Sequence, residues 1–157
     1  MKQAMAAIFA TALAALFLAA AFADSKVTSP ETGLAASLLL EASSYKQPKD
    51  GTVSTMQATY TVSNPTDQPI QYKQSGRGIQ WKILDSGGQL LYDPSRGRPI
   101  PMFIALHTLQ PGQNQEFTQV INLQNQDGTP LAVGKYTLQA CLATDKSLQT
   151  SQDFTVK

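Results

Sequence analysis

The chain has 157 residues, a formal net charge of +1 and only 15% charged side chains, and its 42% apolar content is crowded toward one end. Setting aside the first 23 residues, with Lys2, leaves a segment about one third apolar, in which 11 of the 12 Lys and Arg side chains face 11 Asp and Glu. A neutral segment without a basic run excludes the electrostatic footprint of a nucleic-acid binder and of a polybasic membrane anchor, and its length is that of one ordinary domain with its own core.

Lys2 gives a positive start, Ala4 to Phe22 is apolar except for Thr11, and Ala21-Phe22-Ala23 is a small-x-small site before Asp24. The pattern predicts a secretory signal peptide over 1–23, cleaved between Ala23 and Asp24. An uncleaved anchor is the competing reading, since the run approaches the length that spans a bilayer. The alanine content and the polar Asp24-Ser25-Lys26 favour cleavage, and no cysteine stands there to take a lipid. The expected product is soluble and extracytoplasmic, either periplasmic or secreted, and free of the membrane after cleavage. Its single cysteine, Cys141, permits no internal disulfide, and Ala140 and Leu142 on either side favour a packed filler over a reactive thiol.

Residues 24–33 are polar and turn-forming and read as a disordered lead-in to a domain over 34–157. Leu38, Leu40 and Ala42 form the first apolar face, although Leu34 to Ala42 also suits a short helix. Ala58, Tyr60 and Val62 alternate with polar residues until Asn64-Pro65-Thr66-Asp67, where Pro65 lacks the amide hydrogen that a ladder needs. Ile70 and Tyr72 begin a return strand. Ile79, Trp81 and Ile83 precede Asp85-Ser86-Gly87-Gly88 and then Leu90-Leu91-Tyr92, which together read as a hairpin. Met102 to Leu109 and Glu116 to Leu123 are further strands. In the second, Gln119 shares the parity of Phe117 and Ile121, which predicts a bulge or another register. Tyr136, Leu138, Ala140 and Leu142 point inward from the next strand, and Phe154 and Val156 close the chain. The expectation is an all-β fold, an immunoglobulin-like antiparallel β-sandwich of about eight or nine strands, with Trp81 in the core and a tyrosine corner at Gly134-Lys135-Tyr136.

Catalytic constellations are missing. The one histidine, His107, sits inside a strand with no acidic residue nearer in sequence than Asp93 or Glu116, so neither a triad nor a zinc site can be assembled. Carboxylates stand singly, mostly in turns, where Asp bonds nearby backbone. The reading is no enzyme, no catalytic residue, no cofactor and no metal. Arg77, Arg96 and Arg98 occupy two Gly-rich loops and could converge on an anion, though solvated turn charge is the plainer reading. The run Pro99-Ile100-Pro101-Met102-Phe103-Ile104-Ala105-Leu106 is the longest uncharged apolar stretch outside the leader. It reads first as a covered strand; left exposed, it would be a ridge stiffened by two prolines.

The order Thr61-Val62-Ser63-Asn64-Pro65-Thr66-Asp67, Ser75-Gly76 before Ile79-Gln80-Trp81-Lys82-Ile83, Asp85-Ser86-Gly87-Gly88 before Leu90-Leu91-Tyr92, Leu109-Gln110-Pro111-Gly112 and Leu131-Ala132-Val133-Gly134-Lys135-Tyr136 resembles the BsuPI-type proteinase inhibitor domain over about Met56 to Leu142. The resemblance implies a small immunoglobulin-like sandwich and a protein partner, a serine protease in the inhibitor that names the family. That inhibitor is intracellular, whereas this chain carries an export signal, and Tyr92 stands where the family pattern has tryptophan. The function expected is a non-enzymatic, exported, monomeric protein-binding domain of proteinase-inhibitor type. The alternative is an envelope accessory or adhesion-type immunoglobulin-like module. The candidate partner-binding loop is Arg98, Pro99, Ile100, Pro101, Met102 and Phe103.

Overall fold

Period-two alternation along the chain becomes two facing sheets in the computed structural model, which describes residues 25–157. The leader and its cleavage point at Ala23 and Asp24 lie outside the described residues. One sheet has the order β1 (Ser25–Thr28), β2 (Ala35–Leu40), β4 (Thr55–Ser63), β9 (Asn114–Asn122). The facing sheet has the order β3 (Ser44–Tyr45), β11 (Asp145–Val156), β10 (Gly134–Leu142), β6 (Ile79–Asp85), β7 (Leu90–Tyr92). A separate two-stranded ribbon pairs β5 (Ile70–Ser75) with β8 (Ile104–Leu109). Pairing is antiparallel throughout except that β3 runs parallel to β11.

The inward residues of the two sheets meet in one cluster. Leu38, Met56, Tyr60, Val62 and Ile121 from the first face Trp81, Ile83, Leu138, Leu142, Leu148 and Phe154 from the second. Tyr60 spans the gap. Its ring packs edge-on to Trp81 at 6.4 Å, and its hydroxyl donates to the Leu148 carbonyl at 2.7 Å and accepts from the Leu142 amide at 3.3 Å. A buried phenol needs such partners, and burial raises its pKa. The tyrosine corner is present as well, with the Tyr136 hydroxyl donating to the Ala132 carbonyl at 2.7 Å.

Three features depart from the sequence reading, and a fourth settles an ambiguity in it. The lead-in is not free: β1 pairs with β2 across a tight loop in which Ser29 bonds Leu34 and Gly33, and the Ser29 side chain is buried. Backbone hydrogen bonds recruit this segment, so its polar composition conceals it. The ambiguous stretch Leu34 to Ala42 is strand over Ala35–Leu40, as first read, and not helix, since β2 is held between β1 and β4 on both edges. No bulge occurs at Gln119, because β9 pairs with β4 in unbroken register from Asn114 to Asn122. The strands number eleven among the described residues, and β11 extends back to Asp145. There Thr150 holds an inward position without an apolar side chain and blurs the alternation.

A recurring local device closes the loops. In Asp50-Gly51-Thr52, Asn64-Pro65-Thr66, Asp93-Pro94-Ser95, Asp127-Gly128-Thr129 and Asp145-Lys146-Ser147, the first residue's side-chain oxygen accepts both the amide and the hydroxyl two residues on. Those bonds hold the Asp50 and Asp127 carboxyls below their ordinary pKa, with the threonine hydroxyl the larger cause.

Candidate functional site

The apolar run after Pro99 was expected first as covered strand, and the structure overturns that. Met102 projects into solvent, while Phe103, Ile104 and Leu106 are 54%, 65% and 67% exposed. The reason is the ribbon's geometry. Strand β8 turns Ala105, His107 and Leu109 toward the body of the domain, opposite Gln74, Tyr72 and Ile70 of β5, so Ile104 and Leu106 must face out. His107 lies against Tyr72, with ring centroids 5.3 Å apart and planes at 24°, which makes it a packing residue of the ribbon.

The loop ahead of this strand is stiff. Its first half is two successive turns, Arg96 to Asp93 and Arg98 to Ser95, closed by backbone bonds of 3.1 and 3.2 Å, and Gly97 supplies the positive φ of 78°. Its second half is clasped by the loop between β5 and β6. The Gly76 amide donates to the Phe103 carbonyl at 3.0 Å, and the Pro101 carbonyl lies so close over the Gly76 α-carbon that a side chain there would collide with it. Pro99 and Pro101 fix their own φ angles between these clasps. Glycine is therefore required at 76 by proximity.

Two clefts flank the loop and share Arg77 and Ile100 as a common wall. The first, of about 350 Å³, opens between β6 and the edge strand β9, with Trp81 and Phe117 in its lining and Arg77 and Arg98 at its side. Gln119 is part of that wall. Its inward parity, read above as a sign of a bulge, instead marks the place where the sandwich stays open between the two sheets. The second cleft, of about 580 Å³, runs over β6 and β10, and Arg77, Lys82 and Lys146 line it together with Gln80 and Cys141. Cys141 is a buried free thiol whose sulfur lies 3.7 Å from Gln80 Oε1. Burial pushes its pKa up, against an opposing pull from Lys82 and Lys146. Of the three loop arginines, Arg77 and Arg98 thus converge, and Arg96 lines neither cleft.

Among the described residues, no group of three or more His, Cys, Asp and Glu side chains is placed to hold a metal ion. Asp93 and Asp145, the carboxylates nearest in sequence to the clefts' far walls, are taken up in the turns described above.

A family model described as intracellular proteinase inhibitor, BsuPI, matches residues 38–147, well over half of the chain. The chain belongs to that family. The BsuPI match begins within β2 and ends within β11, so it takes in the loop, the first cleft, the ribbon and all of the second cleft's lining but Gln149. Tyr92 is buried in the shared core, as an aromatic anchor of β7.

Solved structures with similar folds include a β-glucosidase from Erythrobacter marinus, 21% identical with a TM-score of 0.47 over 80% of this chain and 16% of that one. A β-glucosidase from Listeria innocua shows 12% identity, a TM-score of 0.45 and coverage of 80% and 16%. The alkylpurine DNA glycosylase AlkC from Pseudomonas fluorescens shows 11% identity, a TM-score of 0.44 and coverage of 76% and 29%. This chain spans less than a third of each of these proteins, and likenesses so distant say nothing of its activity. No curated protein matches it closely enough in sequence to count as a relative.

Proposed function

We propose that this BsuPI-family chain is an exported, non-enzymatic protein-binding domain that inhibits a serine protease, presenting the loop Arg98, Pro99, Ile100, Pro101, Met102 and Phe103 to its partner. The supporting observation is the pairing of exposure with rigidity in this segment. Met102 and Phe103 stand in solvent on a backbone clasped by two turns, two prolines and Gly76. A monomeric protein rarely leaves such apolar side chains together in water, and a loop already held in one shape loses little entropy when bound. Fully burying one large apolar side chain is worth about 1.5–3 kcal/mol, so Ile100, Met102 and Phe103 together are enough to anchor an interface. The leader pattern at 1–23 supports export, and among the described residues no helix is long and apolar enough to cross a membrane.

The test is incubation of the purified protein with a panel of extracellular and periplasmic serine proteases, alongside Ile100→Asp and Phe103→Asp. Each substitution is expected to weaken inhibition at least about tenfold, the loss of one anchor. Inhibition indifferent to both changes would refute the loop assignment, and no inhibition of any protease would refute the inhibitory reading. In the latter case the outward Ile104 and Leu106 on the regular β8 ribbon favour the accessory-module alternative, which predicts a stable complex with an envelope protein.

A further inference from the structure

Charge on this molecule is sparse and close to balanced, yet it is not evenly spread. The two clefts that share Ile100 have Arg98, Arg77, Lys82 and Lys146 in their walls and no Asp or Glu. Two further clefts are mixed, one holding Glu31 and Asp145 beside Lys73 and Lys146, the other Asp153 beside Lys135 and Lys157. A cation-only lining thus sets the two clefts beside the candidate loop apart from these two. Three acids border it in sequence: Asp93 and Asp145 each give one carboxylate oxygen to Ser95 and Ser147, and Glu116, beside Phe117 on β9, is exposed outside the lining. The four cations lie on both sides of an apolar crest of Ile100, Met102 and Phe103.

We propose that this face selects an acidic polypeptide segment, one that sets apolar side chains against the Ile100–Phe103 crest and carboxylates in the flanking clefts. The inference rests on the reading of this loop as a protein-binding site and adds the chemistry of the partner. Complementary charge flanking an apolar anchor speeds encounter, fixes register and rejects partners of the wrong sign. A nucleic acid fits less well. Its uniform phosphate charge has no use for the crest, and the lysines of the two mixed clefts have acids beside them, where backbone binding requires an extended basic surface.

A random dodecapeptide library displayed on phage serves as the probe, with the purified protein as target. Trp81, the one tryptophan of the chain, belongs to the first cleft's lining, so its emission reports occupancy of that cleft in titrations with the selected peptides. The expected result is enrichment of acidic peptides carrying apolar residues, with affinity that falls about tenfold as salt rises and about tenfold on Arg77→Glu/Arg98→Glu. Lys135→Glu, outside both clefts, should leave affinity unchanged, and an unaltered urea midpoint in each variant separates lost binding from lost folding. No enrichment, enrichment regardless of charge, or tighter binding of a single-stranded DNA 20-mer would overturn the proposal. The protease panel fails independently: acidic peptides held without inhibition would refute the inhibitor reading alone, whereas inhibition untouched by Arg77→Glu/Arg98→Glu would refute this one alone.

Discussion

Truncating Asn64 to alanine should be among the most damaging single changes in the domain. The residue is 1% exposed at the end of β4, and its amide group joins three segments. Nδ2 donates to the Leu109 carbonyl at 2.9 Å and to the Gln68 carbonyl at 2.7 Å, while Oδ1 accepts from the Thr66 amide at 3.0 Å and the Thr66 hydroxyl at 2.7 Å. The Leu109 carbonyl is at a buried position, and losing its partner costs about 1–3 kcal/mol. The other bonds are nearer to water and are worth about 0.5–1 kcal/mol each. The sum is about 2.5–6 kcal/mol, a large share of the 5–15 kcal/mol that holds a typical domain, and lowers the melting temperature by about 10 °C or more. Urea unfolding followed by Trp81 emission reads this directly. Asn64→Asp discriminates further, since it keeps the acceptor for Thr66 but sets a carboxylate against two carbonyl oxygens. Its folded pKa is then raised, so stability should be poorest at neutral pH and return as acid protonates the group. An alanine variant within 1 kcal/mol of the parent, or an aspartate variant without recovery in acid, would refute the clamp.

Gly76→Ala should cost about 1–3 kcal/mol by driving a methyl into the Pro101 carbonyl, and amide exchange across 98–103 should quicken; unchanged exchange there would refute the clasp. Tyr60→Phe leaves the Leu148 carbonyl without its partner and should cost about 1–3 kcal/mol in urea unfolding, and a change below about 0.5 kcal/mol would count against it. Burial raises the pKa of Tyr45 to about 12 and also raises those of Tyr60, Tyr72 and Tyr136, so these phenols keep their protons in the folded chain after the unfolded chain has ionised near pH 10. Stability should therefore hold below pH 10 and fall as pH rises beyond it; urea midpoints constant from pH 8 to pH 11.5 would refute this.

The core was legible because it obeys one rule. Ala58, Tyr60 and Val62, then Ile79, Trp81 and Ile83, then Tyr136, Leu138 and Ala140 alternate with polar residues, and all are buried in the shared cluster. Turns were legible for an equally local reason, since Asp and Asn followed by Ser or Thr two residues on close them with their own side chains. What escaped was held by partners distant in sequence. β1 gains its place from backbone bonds to β2, and the polar inward position of Thr150 in β11 hides that strand's rhythm. The convergence of Arg77 with Arg98 depends on Gly76 meeting Pro101, a contact between loops some 25 residues apart.

The same limit explains the two misread signals at the site. Gln119 breaks the parity of its strand, and the break reads as a bulge or another register because a period-two pattern assumes that every inward position faces a second sheet. Here β9 is an edge strand, and opposite Gln119 the facing sheet gives way to a cleft, so a polar residue on the inward side meets water. The apolar run from Pro99 to Leu106 is the reverse case: apolar residues where no sheet covers them, leading into a ribbon whose strands pair with neither sheet of the sandwich. A polar residue looking in and apolar residues looking out both lie at this one edge of the domain, where packing alone would have chosen the opposite. Departures of that kind are where a sequence gives up stability for contact with something else, and these two border one cleft.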